Sequence, residues 1–309
     1  MEPEYISDII KEVKNNFLLS EDAEITLETN PGTVDKNKLS AFRQTGINRV
    51  SIGIQSFDEA DLKFLTRIHD AETAIRTVNE ARECGFENIS IDLIFNLPDQ
   101  TKEKWSRNLD IAVQLPVNHI SAYSLILERG TILNKMVLDG KVTLRDDDFD
   151  ADLYEYTIGF LESHRFNQYE VSNFAHDGYE SVHNNAYWRY KDYLSFGTSA
   201  HSFVDGKRWW NYSPLTFYNN AIEKEGHARI GGETLSGREM LVEYVMLSFR
   251  SKGLDQADLV SRFGSSWINK NKNFLSKLRQ ENFVIEKNGL LSLTPKGYAV
   301  CDEIIGKFV

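Results

Sequence analysis

The chain of 309 residues is long enough for about two domains with a sizeable core. Its 41% hydrophobic and 26% charged residues are ordinary for a globular protein, which excludes a disordered or fibrous chain. The net charge of −11 argues against a whole-chain nucleic-acid binder held by phosphate contacts.

The first 125 residues alternate between strand and helix patterns. Short β-favouring runs that stop at turn residues predict strands, and apolar residues at helical spacing predict one helix in each connection. Because each connection has room for a helix, we expect parallel strands joined by right-handed crossovers. The predicted strands are 25–28, 49–54, 89–95 and 119–125, and the predicted helices are 39–44, 71–84 and 102–115.

Three polar residues lie at or near the carboxyl ends of these apolar strands. They are Glu28, Gln55 and Asp92. In barrels and open parallel sheets that edge is where ligands bind. One such residue is more often a turn former than a ligand, but three on successive strands indicate a site for a polar ligand.

After residue 125 the sequence pattern changes and predicts two further segments. Residues 133–166 read as largely helical, and 166–210 as aromatic-rich loops and short strands. Amphipathic helices at 238–250 and 271–280, followed by a hairpin at 283–293, predict a small winged-helix-like domain. The predicted domains are 1–130 (partial barrel), 131–235 (helical, aromatic-rich extension) and 236–309 (winged-helix-like).

The charge of the last segment bears on its partner. It carries 11 basic and 8 acidic residues, a balance of +3 without a basic recognition helix. Internal packing or protein contact is therefore favoured over nucleic-acid binding. No apolar run reaches the roughly 18 residues of a membrane span, and the acidic start is unlike a secretory signal, so a cytoplasmic location is expected.

Several sequence strings, in this order and spacing, resemble the oxygen-independent coproporphyrinogen III oxidase-like family of radical S-adenosylmethionine (SAM) proteins. The resemblance covers nearly the whole chain and is closest to the haem chaperone branch. It implies an α/β fold, here an incomplete (β/α)6 barrel, because four strands are predicted where the family has six. The strings are ETNPG at 28–32, NRVSIGIQSF at 48–57, RIH at 67–69, DLIFNLP at 92–98, YEVSNF at 169–174 and HNNAYW at 183–188.

The resemblance implies a SAM site formed by Glu28, Gln55, Arg67 and Asp92. Acidic side chains accept hydrogen bonds from ribose hydroxyls or the ammonium group, and arginine pairs with the carboxylate. The alternative for Arg67 is a surface ion pair, and for Asp92 a buried turn stabiliser. One departure is Asn96, where the family usually has glycine before Leu-Pro, which leaves the tightness of that turn open.

The string at 183–188 matches the haem-binding motif of the chaperone branch, and it implies haem or porphyrin as ligand and a haem-acceptor protein as partner. Imidazole can ligate haem iron, and aromatic rings pack against a porphyrin. His201 is interpreted as supporting structure, with haem ligation the lesser alternative. The implied haem-binding residues are His183, as the iron ligand, and Asn184, Tyr187 and Trp188.

The family's Cys-x3-Cys-x2-Cys motif and the Gly-rich segment after it do not occur in these residues. Cys84 and Cys301 cannot replace the motif, because a [4Fe–4S] cluster needs about four ligands. We therefore expect no cluster, weak SAM affinity and no radical chemistry from this polypeptide as given. The chain is expected to be truncated at its N-terminus relative to the family.

Three functions are compatible with these residues. The leading one is a haem chaperone-like protein without its cluster segment. The second is the oxygen-independent coproporphyrinogen III oxidase itself, which the motif at 183–188 disfavours. The third is a non-catalytic interaction protein that uses the winged-helix-like tail.

Overall fold

The computed structural model describes residues 1–308, so Val309, the last residue of the predicted 236–309 domain, lies outside the described residues. The chain divides into two compact units, Met1–Glu180 and a second that begins at Ser181. The three predicted domain boundaries stay predictions.

The first unit is built on one six-stranded mixed sheet. Its strand order is β1-β2-β3-β4-β6-β5, with β1 to β4 parallel and β5 and β6 added antiparallel. The parallel part confirms the predicted α/β fold. The elements are α1 (Pro3–Asn16), β1 (Thr26–Thr29), α2 (Lys36–Gln44), β2 (Arg49–Gln55), α3 (Glu59–Phe64), α4 (Ala71–Glu83), β3 (Asn88–Phe95), α5 (Lys102–Ala112), β4 (His119–Ser124), α6 (Ile132–Leu138), α7 (Asp147–Ser163), β5 (Asn167–Glu170) and β6 (Asn173–Ala175).

Alternation along each parallel strand gives this sheet two unlike faces. Val50, Ile52 and Ile54 of β2 are fully buried in an apolar core that also includes residues of α2, α4, α5 and α7. The alternate residues of the strand, such as Arg49 and Ser51, point to the other face of the sheet. The apolar face packs against the helices, and the opposite face carries polar side chains.

The sequence predicts short strands within residues 166–210, but not that two of them, β5 and β6, join this sheet. In the register, β6 pairs with β4, so that His119 lies opposite Ala175 and Ser121 opposite Asn173. Such pairing joins residues more than fifty positions apart in sequence, and local propensity does not determine it. The predicted count of four strands therefore holds only for the parallel part of the sheet.

The second unit contains a three-stranded antiparallel sheet, β7-β8-β9, and a winged-helix arrangement. In the latter, β10, β12 and β11 form a small sheet beside α10, α11 and α12, which confirms the predicted shape. The elements are α8 (Val182–Trp188), β7 (His201–Val204), β8 (Lys207–Asn211), α9 (Leu215–Glu225), β9 (Arg229–Thr234), α10 (Gly237–Phe249), β10 (Leu254–Asp255), α11 (Gln256–Phe263), α12 (Ser266–Gln280), β11 (Val284–Lys287), β12 (Leu290–Leu293), α13 (Pro295–Ala299) and α14 (Cys301–Gly306).

Within residues 1–308, no helix is both long enough and apolar enough to cross a lipid bilayer.

Candidate functional site

A row of polar side chains crosses the face of the first sheet opposite the apolar core. In the strand register, Glu28 lies beside Ser51, and Asp92 lies beside Ser121. Ser121 lies in turn beside Asn173 of β6. Because paired neighbours point to the same face of a sheet, these side chains form one continuous polar strip.

Asp92 is at the centre of this strip. Ser51 Oγ donates a hydrogen bond to Asp92 Oδ1 over 3.3 Å. Burial raises the pKa of the Asp92 carboxyl, a hydrogen bond with Ser121 opposes that shift, and the charge of Glu28 raises the pKa further. A ligand that brought hydrogen-bond donors or positive charge to this point would stabilise the carboxylate.

Arg67 is hydrogen-bonded to a residue that the sequence analysis did not select as a site residue, Asn30. Arg67 Nη1 donates to Asn30 Oδ1 over 3.1 Å. A Cβ atom on Gly53 would lie 2.7 Å from that same oxygen and 3.0 Å from Gln55 Nε2, so glycine leaves room for both amides above β2. Asn30 lies within the ETNPG string, which could have identified it.

The turns that follow β2 and β3 have unusual backbones. Gln55 has a φ of 73° and Asn96 a φ of 61°, both in the left-handed region. Asparagine tolerates that region better than other residues with a Cβ, so Asn96 can replace the family's glycine. The backbone N–H of Asn96 also donates to Gln100 Oε1 over 2.9 Å. This hydrogen bond stabilises the turn that contains Asn96.

A second pair of polar residues extends the strip onto the antiparallel strands. Glu170 is 1% exposed and lies opposite Asn173 in the register. Burial raises the pKa of Glu170 to about 7, although hydrogen bonds from Ser172 and Asn173 oppose the shift. Among the described residues, Glu170 Oε1 and Asn173 Oδ1 have no hydrogen-bond partner. Both residues belong to the YEVSNF string, but only their burial identifies them as candidates for this site.

The motif at 183–188, predicted to lie among loops and short strands, forms helix α8. The hydroxyl of Ser181 caps this helix by accepting a hydrogen bond from the backbone N–H of Asn184 over 3.2 Å. His183 is exposed, and Asn184, Tyr187 and Trp188 are half-buried. The helix therefore presents the imidazole at its surface.

Aromatic contacts continue from this helix. His183 and Tyr187 are four residues apart, and their rings meet edge to face with centroids 4.7 Å apart. The Tyr187 ring contacts Tyr193 in the same way at 4.5 Å. Burial raises the pKa of the Tyr187 hydroxyl, and Tyr193 adds to that shift. The imidazole is thus held beside an aromatic cluster, a surrounding suited to a flat ligand.

Comparison with known proteins identifies the family of the chain. The family model of the radical SAM superfamily matches residues 1–111, which include Glu28, Gln55, Arg67 and Asp92. The chain is 31% identical over 288 residues to "Heme chaperone HemW" of Bacillus subtilis, covering 93% of this chain and 76% of that protein. It is 32% identical over 287 residues to "Heme chaperone HemW" of Lactococcus lactis, covering 93% and 75%.

Among solved structures, coproporphyrinogen III oxidase (HemN) from Escherichia coli aligns with a TM-score of 0.81 at 23% identity. The alignment covers 100% of this chain and 74% of the oxidase and establishes a shared fold. The sheet and the superfamily match define the first unit as a radical SAM-type domain. With relatives above 30% identity over most of its length, the chain belongs to the HemN/HemW-type family of radical SAM proteins.

The family's [4Fe–4S] cluster does not fit the cysteines of this chain. Cys84 Sγ donates to the carbonyl oxygen of Lys36 over 3.3 Å, and burial raises the pKa of its thiol. Cys301 is in the other unit, and burial raises the pKa of its thiol to about 12. Iron is bound by thiolates, which these shifts disfavour. Within residues 1–308, no three His, Cys, Asp or Glu side chains are grouped as a metal site.

We expect the 309-residue polypeptide to remain free of a cluster after anaerobic reconstitution with iron and sulfide. The physical reason is the number and state of its thiols, since a cubane needs about four ligands. Iron and acid-labile sulfide should stay near the level of a Cys84→Ser, Cys301→Ser control. Close to four irons and four sulfides per chain would contradict this expectation.

Proposed function

We propose that this protein is a haem chaperone-like member of its family, which binds haem and passes it to an acceptor protein. The observation that carries the proposal is the exposed His183 imidazole on α8, with the Tyr187 ring 4.7 Å away. An imidazole nitrogen can occupy an axial position of haem iron, and neighbouring aromatic rings contribute apolar contact with the porphyrin.

The relatives support the chaperone over the oxidase as a function. Two proteins named "Heme chaperone HemW" align with 93% of this chain at 31% and 32% identity. The likeness to HemN is at 23% identity and concerns the fold. Binding should be weaker than in a dedicated haem protein, because a carrier must release its cargo.

A titration with ferric protoporphyrin IX tests this function. We expect the wild-type chain to shift the Soret band from that of free haem. His183→Ala should remove or move the shifted band and weaken binding at least about tenfold, which corresponds to about 1.4 kcal/mol. Tyr187→Ala and Trp188→Ala should lower the affinity with less effect on the band, because they lose contact with the ring and not a bond to iron.

His227→Ala is the matched control, because it removes another exposed imidazole of the second unit outside α8. Its spectra and affinity should equal those of the wild type. A wild-type chain that leaves the haem spectrum unchanged would contradict the proposed function. A folded His183→Ala variant with wild-type spectra and affinity would instead remove only the assignment of His183.

We also propose that Glu28, Gln55, Arg67 and Asp92 are the positions that hold SAM in this domain. Their chemistry fits: the carboxylates accept hydrogen bonds from hydroxyl and ammonium groups, and the Arg67 guanidinium pairs with a carboxylate. In the family, SAM supplies a radical only together with a reduced cluster. Weak SAM affinity and the absence of radical chemistry from this polypeptide stay predictions.

Two further expectations stay predictions. The first is a cytoplasmic location. The second is that the winged-helix arrangement serves internal packing or protein contact, for which the modest charge of +3 over residues 236–309 is the supporting observation.

A further inference from the structure

A histidine outside the 183–188 motif has the geometry of a preorganised metal ligand. His201 begins β7 and is exposed. Its Nδ1 atom lies 2.9 Å from the carbonyl oxygen of Ser199. Because a carbonyl can only accept, Nδ1 carries the proton, and the lone pair of the neutral ring is on Nε2. Metal-binding histidines are commonly held by such a hydrogen bond from the second ring nitrogen.

The carbonyl that orients His201 is itself held in place. Ser199 has a φ of 59°, in the left-handed region. Its backbone N–H donates to the carbonyl oxygen of Tyr212 over 3.1 Å, and its Oγ donates to Ser213 Oγ over 2.8 Å. These two hydrogen bonds to one neighbouring segment support the uncommon backbone conformation of Ser199. The carbonyl oxygen that accepts from His201 is therefore held in a fixed position.

The plane of the imidazole is set by a tryptophan on the adjacent strand. His201 lies opposite Trp210 in the register, and the two rings stack at 28° with centroids 5.8 Å apart. Trp210 lies opposite Gly231 of β9. A Cβ atom on Gly231 would lie 2.7 Å from Trp210 Cζ2, so the indole rests directly on the glycine backbone. Residues of β7, β8 and β9 thus together fix the orientation of the exposed His201 imidazole.

The surroundings of His201 limit the kind of metal that it could bind. A free Zn²⁺ or similar ion needs three or four protein ligands, and residues 1–308 contain no group of three. Haem iron is different, because the porphyrin already supplies four of its ligands and leaves only axial positions for the protein. A single oriented imidazole is sufficient for an iron porphyrin.

We propose that His201 Nε2 is an axial ligand of iron porphyrin, and that Trp210, resting on Gly231, is a positioning residue that sets its ring plane. This inference rests on the proposed haem-binding function. The sequence interpretation favoured a supporting role for His201 and kept haem ligation as the lesser alternative; the proposal takes up that alternative.

Ferric protoporphyrin IX titrations of the wild type, His201→Ala and the control His227→Ala test the assignment. We expect His201→Ala to weaken binding at least about tenfold and to reduce the band of imidazole-ligated iron. Added free imidazole should restore that band in the variant. Gly231→Ala displaces Trp210 and leaves the imidazole of His201 in the chain but without its stacking partner, so we expect weaker binding and a broadened band.

The outcomes separate this inference from the function on which it rests. If the wild type binds haem, and folded His201→Ala has the same affinity and spectrum, the inference is overturned and the proposed function stands. If the wild type binds no haem, both are overturned. Circular dichroism identifies variants that fail to fold; for these, His201→Gln, which retains a polar side chain of similar length, replaces alanine and is read by the same criteria.

Discussion

Replacing Trp105 by alanine is expected to lower the free energy of unfolding of the first unit by about 3–5 kcal/mol. The indole is fully buried, and its ring centroid lies 5.4 Å from that of Phe95 on β3. Its Nε1 donates to Thr157 Oγ1 over 2.7 Å, which joins α5 to α7. The substitution removes both a large apolar volume and this hydrogen bond.

Trp105→Phe is the matched variant, because it loses the donor and only a small part of the ring volume. It should cost about 1–2 kcal/mol. Denaturant unfolding measures the loss of stability. Hydrogen exchange of the β2 and β3 amides then assigns that loss to the first unit. An alanine variant within about 1 kcal/mol of the wild type would show that the core collapses around the missing ring.

The second large effect concerns the pH dependence of stability at Glu170. Its folded pKa of about 7 is above the ordinary 4.5, so the folded state binds a proton more tightly than the unfolded state. The stability from this proton is fully present below the unfolded pKa and is lost as the pH rises towards and through the folded pKa. A shift of this size corresponds to about 3 kcal/mol.

Glu170→Gln should remove this loss, because a neutral amide has no charged form to bury. We expect the variant to match the wild type near pH 4 and to be more stable by up to about 3 kcal/mol above pH 7. The exposed Glu155→Gln should leave the pH profile unchanged. The comparison is measured by urea unfolding across this pH range. Parallel profiles for wild type and Glu170→Gln would show that the buried carboxyl is not the origin of the dependence.

Local sequence patterns determined the parts of this fold that depend on neighbouring residues. The short β-favouring run at 49–54 predicted β2, which the structure shows as Arg49–Gln55. The hairpin between β11 and β12 follows from Asn288 and Gly289, which have φ values of 54° and 80° in a two-residue turn. The motif strings likewise selected Glu28, Gln55, Asp92 and His183 as candidate site residues, whereas the helix that carries His183 was not predicted.

Tertiary structure decided which of these residues act together. Glu170 is an ordinary glutamate in the sequence, and only the pairing of β5 with β6, and of β6 with β4, buries its carboxyl beside Asn173. The Ser199 carbonyl that orients His201 and the Gly231 backbone that supports Trp210 are placed by strand pairing across three segments. Burial, electrostatic shifts and ring stacking depend on distances between residues far apart in sequence, and no local pattern contains those distances.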